Sequence, residues 1–284
     1  MGQSLHRQPK LSQVPMIRGR LPEDVRDLLL SSIPQDEESL MSLGFETHVD
    51  HPSCPGHRYM EGYFHAVYDS GHDYVESIHP RYGCALKRRP APAMLLGFCE
   101  AFRCVNAKLF DQLKQDLAKN PNSAMLADVL DNKKHFADIS VQIHWGDAVE
   151  AGDVAWHIDA PNSFLHMAVG LSGSRALHVR RDIRNGRVSR NCALGASDER
   201  EIVWQSEGDV YLGVPCCFPH AVEYPACSWE DRIIAVQVRL LLTEDELFGA
   251  LDVDSEGGTA ATVFRHLASQ SELLMPSASE LRLN

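Results

Sequence analysis

The sequence lacks long apolar runs and targeting signals. No stretch approaches the roughly 20 apolar residues that a membrane-spanning helix needs, so we expect no membrane span. The N-terminal segment 1–15 is polar and has no apolar centre, which argues against a secretory signal. Position 6 is His instead of the Ser or Thr of an N-myristoylation pattern. These absences predict an intracellular protein, cytoplasmic or nuclear.

The sequence also has little positive charge. Its 27 Lys and Arg face 39 Asp and Glu, which gives a formal net charge of −12. A protein that grips a phosphate backbone usually has a net basic surface, because Lys and Arg neutralise the phosphates. The acidic balance therefore disfavours nucleic acid as a partner, although basic clusters at 87–89 and 180–190 leave a local groove open. Solvated loops are the simpler interpretation of those clusters.

Disulfide bonds and structural zinc have little support. Eight cysteines in an intracellular chain of this length predict reduced thiols. Cys54 and His57 resemble half of a metal site, but no second half follows at zinc-finger spacing. Cys99 and Cys104 fall in an apolar helical stretch and are predicted to lie in the core.

The first half of the sequence has mainly the periodicity of helices. Residues 21–33 begin with acidic residues and carry an apolar stripe, and residues 93–120 repeat apolar positions at helical spacing. Another helix is predicted over 123–133. Segment 34–92 is rich in Pro, Gly, His and Tyr, which predicts loops and short strands. Residues 1–134 are therefore expected to form mainly helical support and loops.

After residue 136 the pattern becomes that of strands. Within 138–145, three apolar β-branched residues alternate with polar ones that include Gln142 and His144, so the two sets lie on opposite faces. Several short strand-like runs follow, separated by turn signals, and the last and longest covers 232–242. Short strands at near-regular spacing predict a β-sandwich or barrel.

The tail returns to helical periodicity. Thr243 is placed to cap a helix whose first turn is acidic, and a further helix is predicted near 259–271. Together these patterns predict one α+β domain over 1–284. Its β core covers 135–242, and C-terminal helices cover 243–284.

Three residues of the β half have the chemistry of a metal site. His157 and Asp159 stand at i and i+2, so an extended chain points both to the same side. His220 lies 63 residues further on, an interval long enough for several strands to return the chain to His157. Two His and one carboxylate leave three positions of a metal open, which suits Fe(II) with a co-substrate and oxygen.

A cation is the next requirement of such a site. Fe(II) needs additional electrons to activate oxygen, and a 2-oxo acid that chelates the metal supplies two on losing carbon dioxide. Arg offers its far carboxylate a two-pronged donor that Lys cannot. Arg232 opens the long strand 12 residues after His220. Alternation along that strand predicts an inward row of Arg232, Ile234, Val236 and Val238.

The order of these residues resembles a known family. His157-x-Asp159, then His220 after a GDVYL…P turn, then Arg232 at the start of the next strand, is similar to the Fe(II)/2-oxoglutarate-dependent dioxygenase superfamily. The resemblance covers 138–242. It implies a double-stranded β-helix, or jelly-roll, with Fe(II) on the two His and the Asp, 2-oxoglutarate on Arg232, and O2 as the other reactant.

The sequence departs from the family pattern at Ile234, where many members have a Ser two residues after the Arg. Gln142, His144 and Tyr211 are the candidates to replace its hydrogen bond to the co-substrate. The AlkB-type nucleic-acid demethylases carry a second Arg further along this strand. Arg239 lies seven residues on, an odd step that puts it on the opposite face from Arg232, which disfavours that branch.

Other residues near the three ligands have simpler interpretations beside functional ones. Asn162 is a candidate to orient substrate, yet Pro161-Asn162 is also a common turn. His166 is predicted to be a hydrogen-bonded barrel residue instead of a ligand. His157 and Asp159, taken alone, could equally be a structural pair.

The predicted function is oxidation of an unactivated C–H bond, as hydroxylation or as demethylation through hydroxylation. A small molecule or a protein side chain is favoured as substrate over nucleic acid. The loops in 34–92 and the Arg-containing insert 181–200 are the segments expected to select it. A cupin-like metal-binding barrel without 2-oxoglutarate chemistry is the alternative from another class, and an Fe(II) oxygenase independent of 2-oxoglutarate is the third possibility.

Overall fold

The computed structural model of the protein describes most of the two predicted halves. The described residues are 16–51, 54–65, 77–78, 85–86, 89–119, 127, 138–150, 156–157, 159, 163–180, 200–215, 218–241, 266 and 273–281.

Two larger antiparallel sheets and one short strand pair make up the β structure. The strands are β1 Met16–Arg20, β2 Glu46–His51, β3 Cys54–His65, β4 Ser77–Ile78, β5 Ala85–Leu86, β6 Arg89–Pro90, β7 Asp138–Gly146, β8 Ser163–Ser172, β9 Arg175–Arg180, β10 Arg200–Gln205, β11 Asp209–Gly213, β12 His220–Glu223 and β13 Ile233–Leu241. The large sheet has eight strands in the order β1-β11-β8-β13-β7-β3-β2, with β6 added parallel to β3. The small sheet has the order β10-β9-β12, and β4 pairs with β5.

From β7 to β13 the chain moves back and forth between these two sheets. Strands β7, β8, β11 and β13 belong to the large sheet, and β9, β10 and β12 to the small one. His157 joins the small sheet through an antiparallel bridge to His220 on β12. Gly173 turns the chain from β8 to β9 with φ +66°, in the left-handed region that glycine adopts without strain. Consecutive segments of the chain therefore contribute strands to both sheets.

The large sheet has one apolar and one polar face, as alternation in its strands requires. On β7, Ile139, Val141 and Ile143 are buried in the main apolar core with Phe98 and Phe102 of the helical layer. The neighbouring strands β3 and β13 pair in register with β7 and continue both faces. The polar face points the other way, toward the small sheet.

The helical layer covers the apolar face. Its helices are α1 Glu23–Ser31, α2 Glu37–Ser42, α3 Ala93–Val105 and α4 Ala107–Ala118. The helix predicted over 93–120 is therefore two helices. They separate at Asn106, whose side chain bonds the main chain of Leu274 through both its oxygen and its nitrogen. Cys99 is buried as predicted, but Cys104 is exposed, so its predicted core position is wrong.

Strands of the large sheet also lie within 1–134, the part of the chain that was expected to form mainly helical support and loops. β1, β2 and β3 all join the large sheet, and β3 is twelve residues long. Its central residues alternate between polar and apolar ones, but the Pro and Gly at its start obscure the strand signal.

Most of the predicted C-terminal helices lie outside the described residues. Of 243–284, the structure describes His266, which is helical, and the segment 273–281. That segment ends in the short helix α5 Ala278–Leu281. The predicted helix 123–133 is likewise described only at Ala127, which is helical. Among the helices that can be described, none is long and apolar enough to cross a membrane.

Candidate metal centre

The structure brings His157, Asp159 and His220 together. The main chains of His157 and His220 exchange two hydrogen bonds of 3.1 and 2.9 Å, and their imidazole rings lie 4.3 Å apart. Asp159 Oδ1 is 3.6 Å from the Nε2 atom of each His. One potential ligand atom from each residue lies within 4.8 Å of the other two. Two nitrogens and one oxygen therefore converge on one point. At 3.6 Å the Asp159 oxygen is too far from either Nε2 atom for a hydrogen bond of ordinary length.

The local chemistry of these side chains fits a divalent cation. The Nδ1 atom of His220 lies 3.2 Å from the carbonyl oxygen of Phe218. A carbonyl only accepts, so Nδ1 carries the proton and the Nε2 lone pair is available to a metal. The side chain of His157 is 40% exposed, whereas that of His220 is 9% exposed. The site is thus buried on one side and open to solvent on the other.

The charges around the three residues favour metal-binding protonation states. Burial, and after it the neighbouring His157, lower the pKa of His220 to about 4, so this ring is neutral near pH 7. Burial alone would raise the pKa of Asp159. The contacts of Asp159 with His166, His220 and Arg239 outweigh that effect and hold the pKa of Asp159 well below the usual range. Metal binding needs this combination of neutral imidazole and ionised carboxylate.

His166 lies directly beside the ligand set. Its Nδ1 atom is 3.7 Å from the second oxygen of Asp159, and its ring is 6.4 Å from that of Tyr211. The residue is buried, and its Nε2 atom has no hydrogen-bond partner. Burial lowers the pKa of His166 and outweighs its contact with Asp159. It therefore supports the carboxylate from behind, in the interior of the fold.

The prediction that Arg232 faces the barrel interior is wrong. The apolar core under the helices includes Ile234, Val236 and Val238 of β13. Arg232 immediately precedes the first residue of this central strand. Its guanidinium group bonds the carbonyl of Trp229 at 2.7 Å and the main-chain and side-chain oxygens of Gln35 at 3.1 and 2.6 Å. These bonds tie Arg232 to the loop between α1 and α2.

The other row of β13 points inward. Gln237 and Arg239 pair in register with Ser140 and Asp138 of β7, on the polar face. Arg239 Nη1 lies 4.0 Å from Asp138 Oδ2, and its Nη2 donates to Gln237. Burial alone would lower the pKa of Arg239, but the charges of Asp159, Asp138 and Glu61 raise it. The odd step from Arg232 therefore carries Arg239 toward the candidate metal ligands.

A second arginine lies inside the fold on the small sheet. Arg175 of β9 is 3% exposed and donates through Nε to Gln205 at 2.8 Å. Its Nη1 makes long contacts of 3.4 Å to Gln142 and 3.5 Å to the hydroxyl of Tyr224. In the part of the chain that the structure describes, its Nη2 has no hydrogen-bond partner.

The structure also places the other predicted co-substrate residues. Gln142 lies in the polar interior and bonds both Arg175 and Gln237. Tyr211 is buried next to His166, and burial raises its pKa. His144 lies further along β7, with its ring stacked 3.9 Å from that of Tyr224.

His144 is hydrogen-bonded to a residue of the apparent zinc half-site. Its Nδ1 lies 3.1 Å from Nε2 of His57, whose Nδ1 in turn faces the carbonyl of Asp147. His57 therefore belongs to the stacked rings of the interior. Asn162, the candidate to orient substrate, lies outside the described residues.

Arg175 and Arg239 are both absent from the sequence-based site. The sequence contained a clue to Arg239. It lies two residues after Gln237, so both side chains point to the same face of β13, and Gln237 is a polar residue in a mostly apolar strand. No comparable signal marks Arg175. Both faces of β9 are buried, so its sequence does not alternate in polarity.

Comparisons with known proteins do not place this chain in a family. No family model matches the sequence, and no curated protein sequence matches it. The structure of OsALKBH1 is similar over 81% of this chain and 100% of the OsALKBH1 chain, at 13% identity and a TM-score of 0.39. SnoK, a non-heme alpha ketoglutarate dependent carbocyclase from nogalamycin biosynthesis, covers 79% of this chain and 78% of its own, at 11% identity and a TM-score of 0.37. The E. coli protein ycfD covers 39% of this chain and 27% of its own, at 15% identity and a TM-score of 0.28. Similarities this low assign neither a family nor an activity to the chain.

Proposed function

We propose that the protein is an Fe(II)- and 2-oxoglutarate-dependent oxygenase built on a double-stranded β-helix. One observation carries the proposal: two imidazole nitrogens and one carboxylate oxygen converge within 4.8 Å at the rim of a jelly-roll strand pattern. Three protein ligands of this kind leave positions for a chelating co-substrate and oxygen. A structural zinc site would instead need a fourth protein ligand.

The residues of the site have distinct tasks in this proposal. His157, Asp159 and His220 hold Fe(II). The carbonyl of Phe218 keeps the Nε2 lone pair of His220 toward the metal, and His166 steadies Asp159 from the interior. These supporting contacts orient the ligands before the metal arrives, which lowers the cost of forming the site.

The bound group supplies the oxidation itself. Fe(II) held by His157, Asp159 and His220, together with 2-oxoglutarate and O2, would convert a C–H bond into C–OH, and 2-oxoglutarate would lose CO2 and become succinate. One oxygen atom enters the substrate and the other enters succinate, so the reaction balances without a further reductant. The protein must hold the negatively charged co-substrate, and the candidates for this are Arg175, which is buried, and Arg239, which is partly buried.

The substrate proposed remains a small molecule or a protein side chain, hydroxylated or demethylated through hydroxylation. The formal charge of −12 supports this order, because a nucleic-acid substrate favours a basic surface. We also propose that the whole chain forms one oxygenase domain, with β7 to β13 as its core.

A metal-binding barrel without 2-oxoglutarate chemistry is the second candidate. The observation in its favour is the position of Arg232, the expected co-substrate anchor, which bonds Gln35 and Trp229 instead of facing the ligand set. The two candidates differ in their response to 2-oxoglutarate, since a plain metal-binding barrel has no use for it.

An anaerobic titration tests the proposal. The metal-free protein is titrated with Fe(II), then with 2-oxoglutarate, and the visible absorption band of an iron-bound 2-oxo acid is recorded. We expect a band with one equivalent of each, and O2-dependent formation of succinate on admitting air. Iron binding without a band would favour the second candidate, and no iron binding would reject the three-residue site.

A further inference from the structure

Arg175 is a buried guanidinium group with too few partners. It is 3% exposed, and of its five N–H groups only Nε makes a hydrogen bond of ordinary length, 2.8 Å to Gln205. The Nη1 contacts to Gln142 and Tyr224 are at the long limit, and Nη2 has no partner. Buried polar groups are usually satisfied, and buried charges even more so, which indicates that a ligand completes this one.

The other arginines near the core differ in how their charge is compensated. Arg239 lies near the carboxylates of Asp138 and Asp159. Arg232 bonds two main-chain carbonyls and packs 4.5 Å from the Trp229 ring. The hydrogen-bond partners of Arg175 are all neutral. The partners of Arg232 are neutral too, but they give it three hydrogen bonds of 2.6 to 3.1 Å, whereas Arg175 has one bond below 3.4 Å. A buried cation without adequate partners is costly to keep, so Arg175 is the one of the three that calls for an anion.

Neighbouring amides fix which edge of Arg175 stays open. Gln205 donates through Nε2 to the carbonyls of Ala168 and Asp209, so its oxygen must face Arg175. Gln142 donates through Nε2 to Glu61, so its oxygen faces Arg175 and Gln237. Carbonyls and carboxylates only accept, hence neither amide can flip without losing a bond. The Nε and Nη1 edge is therefore held, and Nη2 is left for a ligand.

The position of Arg175 relative to the metal ligands suits a two-ended ligand. On β9, Val179 pairs with His220, and Arg175 lies four residues away on the same face. Four residues of strand span roughly 13 Å, a distance that an arginine side chain and an extended dicarboxylate can bridge between them. The positive charge of Arg175 also reaches His166, beside Asp159.

We propose that Arg175 is the carboxylate-binding residue of the interior, and that Glu61 positions it through the Gln142 amide. The ligand is a dicarboxylate whose other end reaches the three-residue metal site. Its identity as 2-oxoglutarate rests on the function proposed above. The binding residue thus comes from the small sheet and not from the strand that follows His220.

Calorimetric titration of the metal-free protein with 2-oxoglutarate tests this site without iron or turnover. We expect the wild type to bind and Arg175→Gln to bind roughly 10- to 100-fold more weakly, as loss of a charged hydrogen-bond pair implies. Arg175→Lys should fall between them, because it keeps the charge without the fork. Arg232→Gln is the matched control and should bind like the wild type. Equal binding by wild type and Arg175→Gln would overturn the proposal, as would no binding by the wild type.

A second variant keeps the test decisive if Arg175→Gln does not fold. Glu61→Gln lets the Gln142 amide turn either way, so we expect weaker 2-oxoglutarate binding but unchanged binding of pyruvate, which lacks the far carboxylate, to the Fe(II)-loaded protein. Unchanged 2-oxoglutarate affinity would reject the positioning role.

The Arg175 proposal and the oxygenase proposal can be rejected independently of each other. Dicarboxylate binding through Arg175 in a protein that does not bind iron would leave this site standing and reject the oxygenase. An iron–2-oxoglutarate band of wild-type strength in Arg175→Gln, at a 2-oxoglutarate concentration that only half-saturates the wild type, would do the reverse.

Discussion

The two faces of the large sheet show how one set of strands serves stability and chemistry at once. The face toward the helices holds residues such as Val141 and Val236, buried with Phe102 in a continuous apolar core. The face toward the small sheet holds Gln142, Gln237 and other polar side chains joined by hydrogen bonds. Apolar packing tolerates no open position, whereas the interior between the polar face and the small sheet includes buried nitrogen atoms, such as His166 Nε2 and Arg175 Nη2, that have no hydrogen-bond partner among the described residues. The first face stabilises the fold, and the second holds residues that we propose bind ligands.

The largest effect is expected on the polar side. Replacing the central metal ligand, Asp159→Ala, should abolish 2-oxoglutarate turnover while the circular dichroism spectrum stays that of the folded protein. The reason is that two His alone neither neutralise nor enclose Fe(II) adequately. Succinate formation under O2 is the measurement, and undiminished turnover would remove Asp159 from the site.

The apolar face should respond in the opposite way. Phe102 is completely buried, so Phe102→Ala should lower the free energy of unfolding by about 3–5 kcal/mol through the cavity that it leaves. Urea denaturation measures this, and Trp204→Ala, at a side chain 58% exposed, is the control with an expected change within about 0.5 kcal/mol. A loss of iron affinity in the molecules that remain folded would show that the two faces are not independent.

Acidification should lower the free energy of unfolding of the metal-free protein, because His220 becomes protonated more readily in the unfolded state. His220 has a folded-state pKa of about 4, below that of an unfolded His, so the unfolded state binds more protons between about pH 6.5 and 4. Stability is therefore expected to fall as pH drops through that window, by on the order of 3 kcal/mol at most. The depressed pKa of Asp159 acts in the same direction at lower pH.

Denaturation midpoints measured across this window, with His220→Gln for comparison, test the assignment. A pH slope as steep in the variant as in the wild type would place its origin in another group.

The smallest effect is expected at Arg232, on the boundary between the two regions. Arg232→Gln should cost about 1–2 kcal/mol of stability through lost hydrogen bonds to Gln35 and Trp229, and leave the iron–2-oxoglutarate band unchanged. Urea denaturation and the anaerobic titration measure the two quantities. Disappearance of the band would indicate that Arg232 binds the co-substrate after all. It would then be wrong to place co-substrate binding only on the polar face.

Local sequence patterns were informative where one face of an element is polar and the other apolar. Alternation in 138–145 predicted both the strand β7 and the facing of Gln142 and His144. The same argument failed for the last strand, because both of its faces are buried and the inward row was assigned to the more apolar residues. The long helix of 93–120 was predicted from the spacing of its apolar residues, but at its break Asn106 bonds a main-chain segment 168 residues away.

The sequence by itself determined the half of the chain that forms the β core and the candidate ligands His157, Asp159 and His220, since spacing of two residues in an extended chain specifies a shared side. Only the tertiary structure decided that Arg239 and Arg175 face the interior while Arg232 does not. The direction in which a side chain points from a strand buried on both sides depends on which sheets and helices cover that strand. Burial of a guanidinium group depends on partners far away in sequence, such as Gln205 and Gln142 for Arg175. The physical reason is that these contacts are non-local, and no local pattern of residues encodes them.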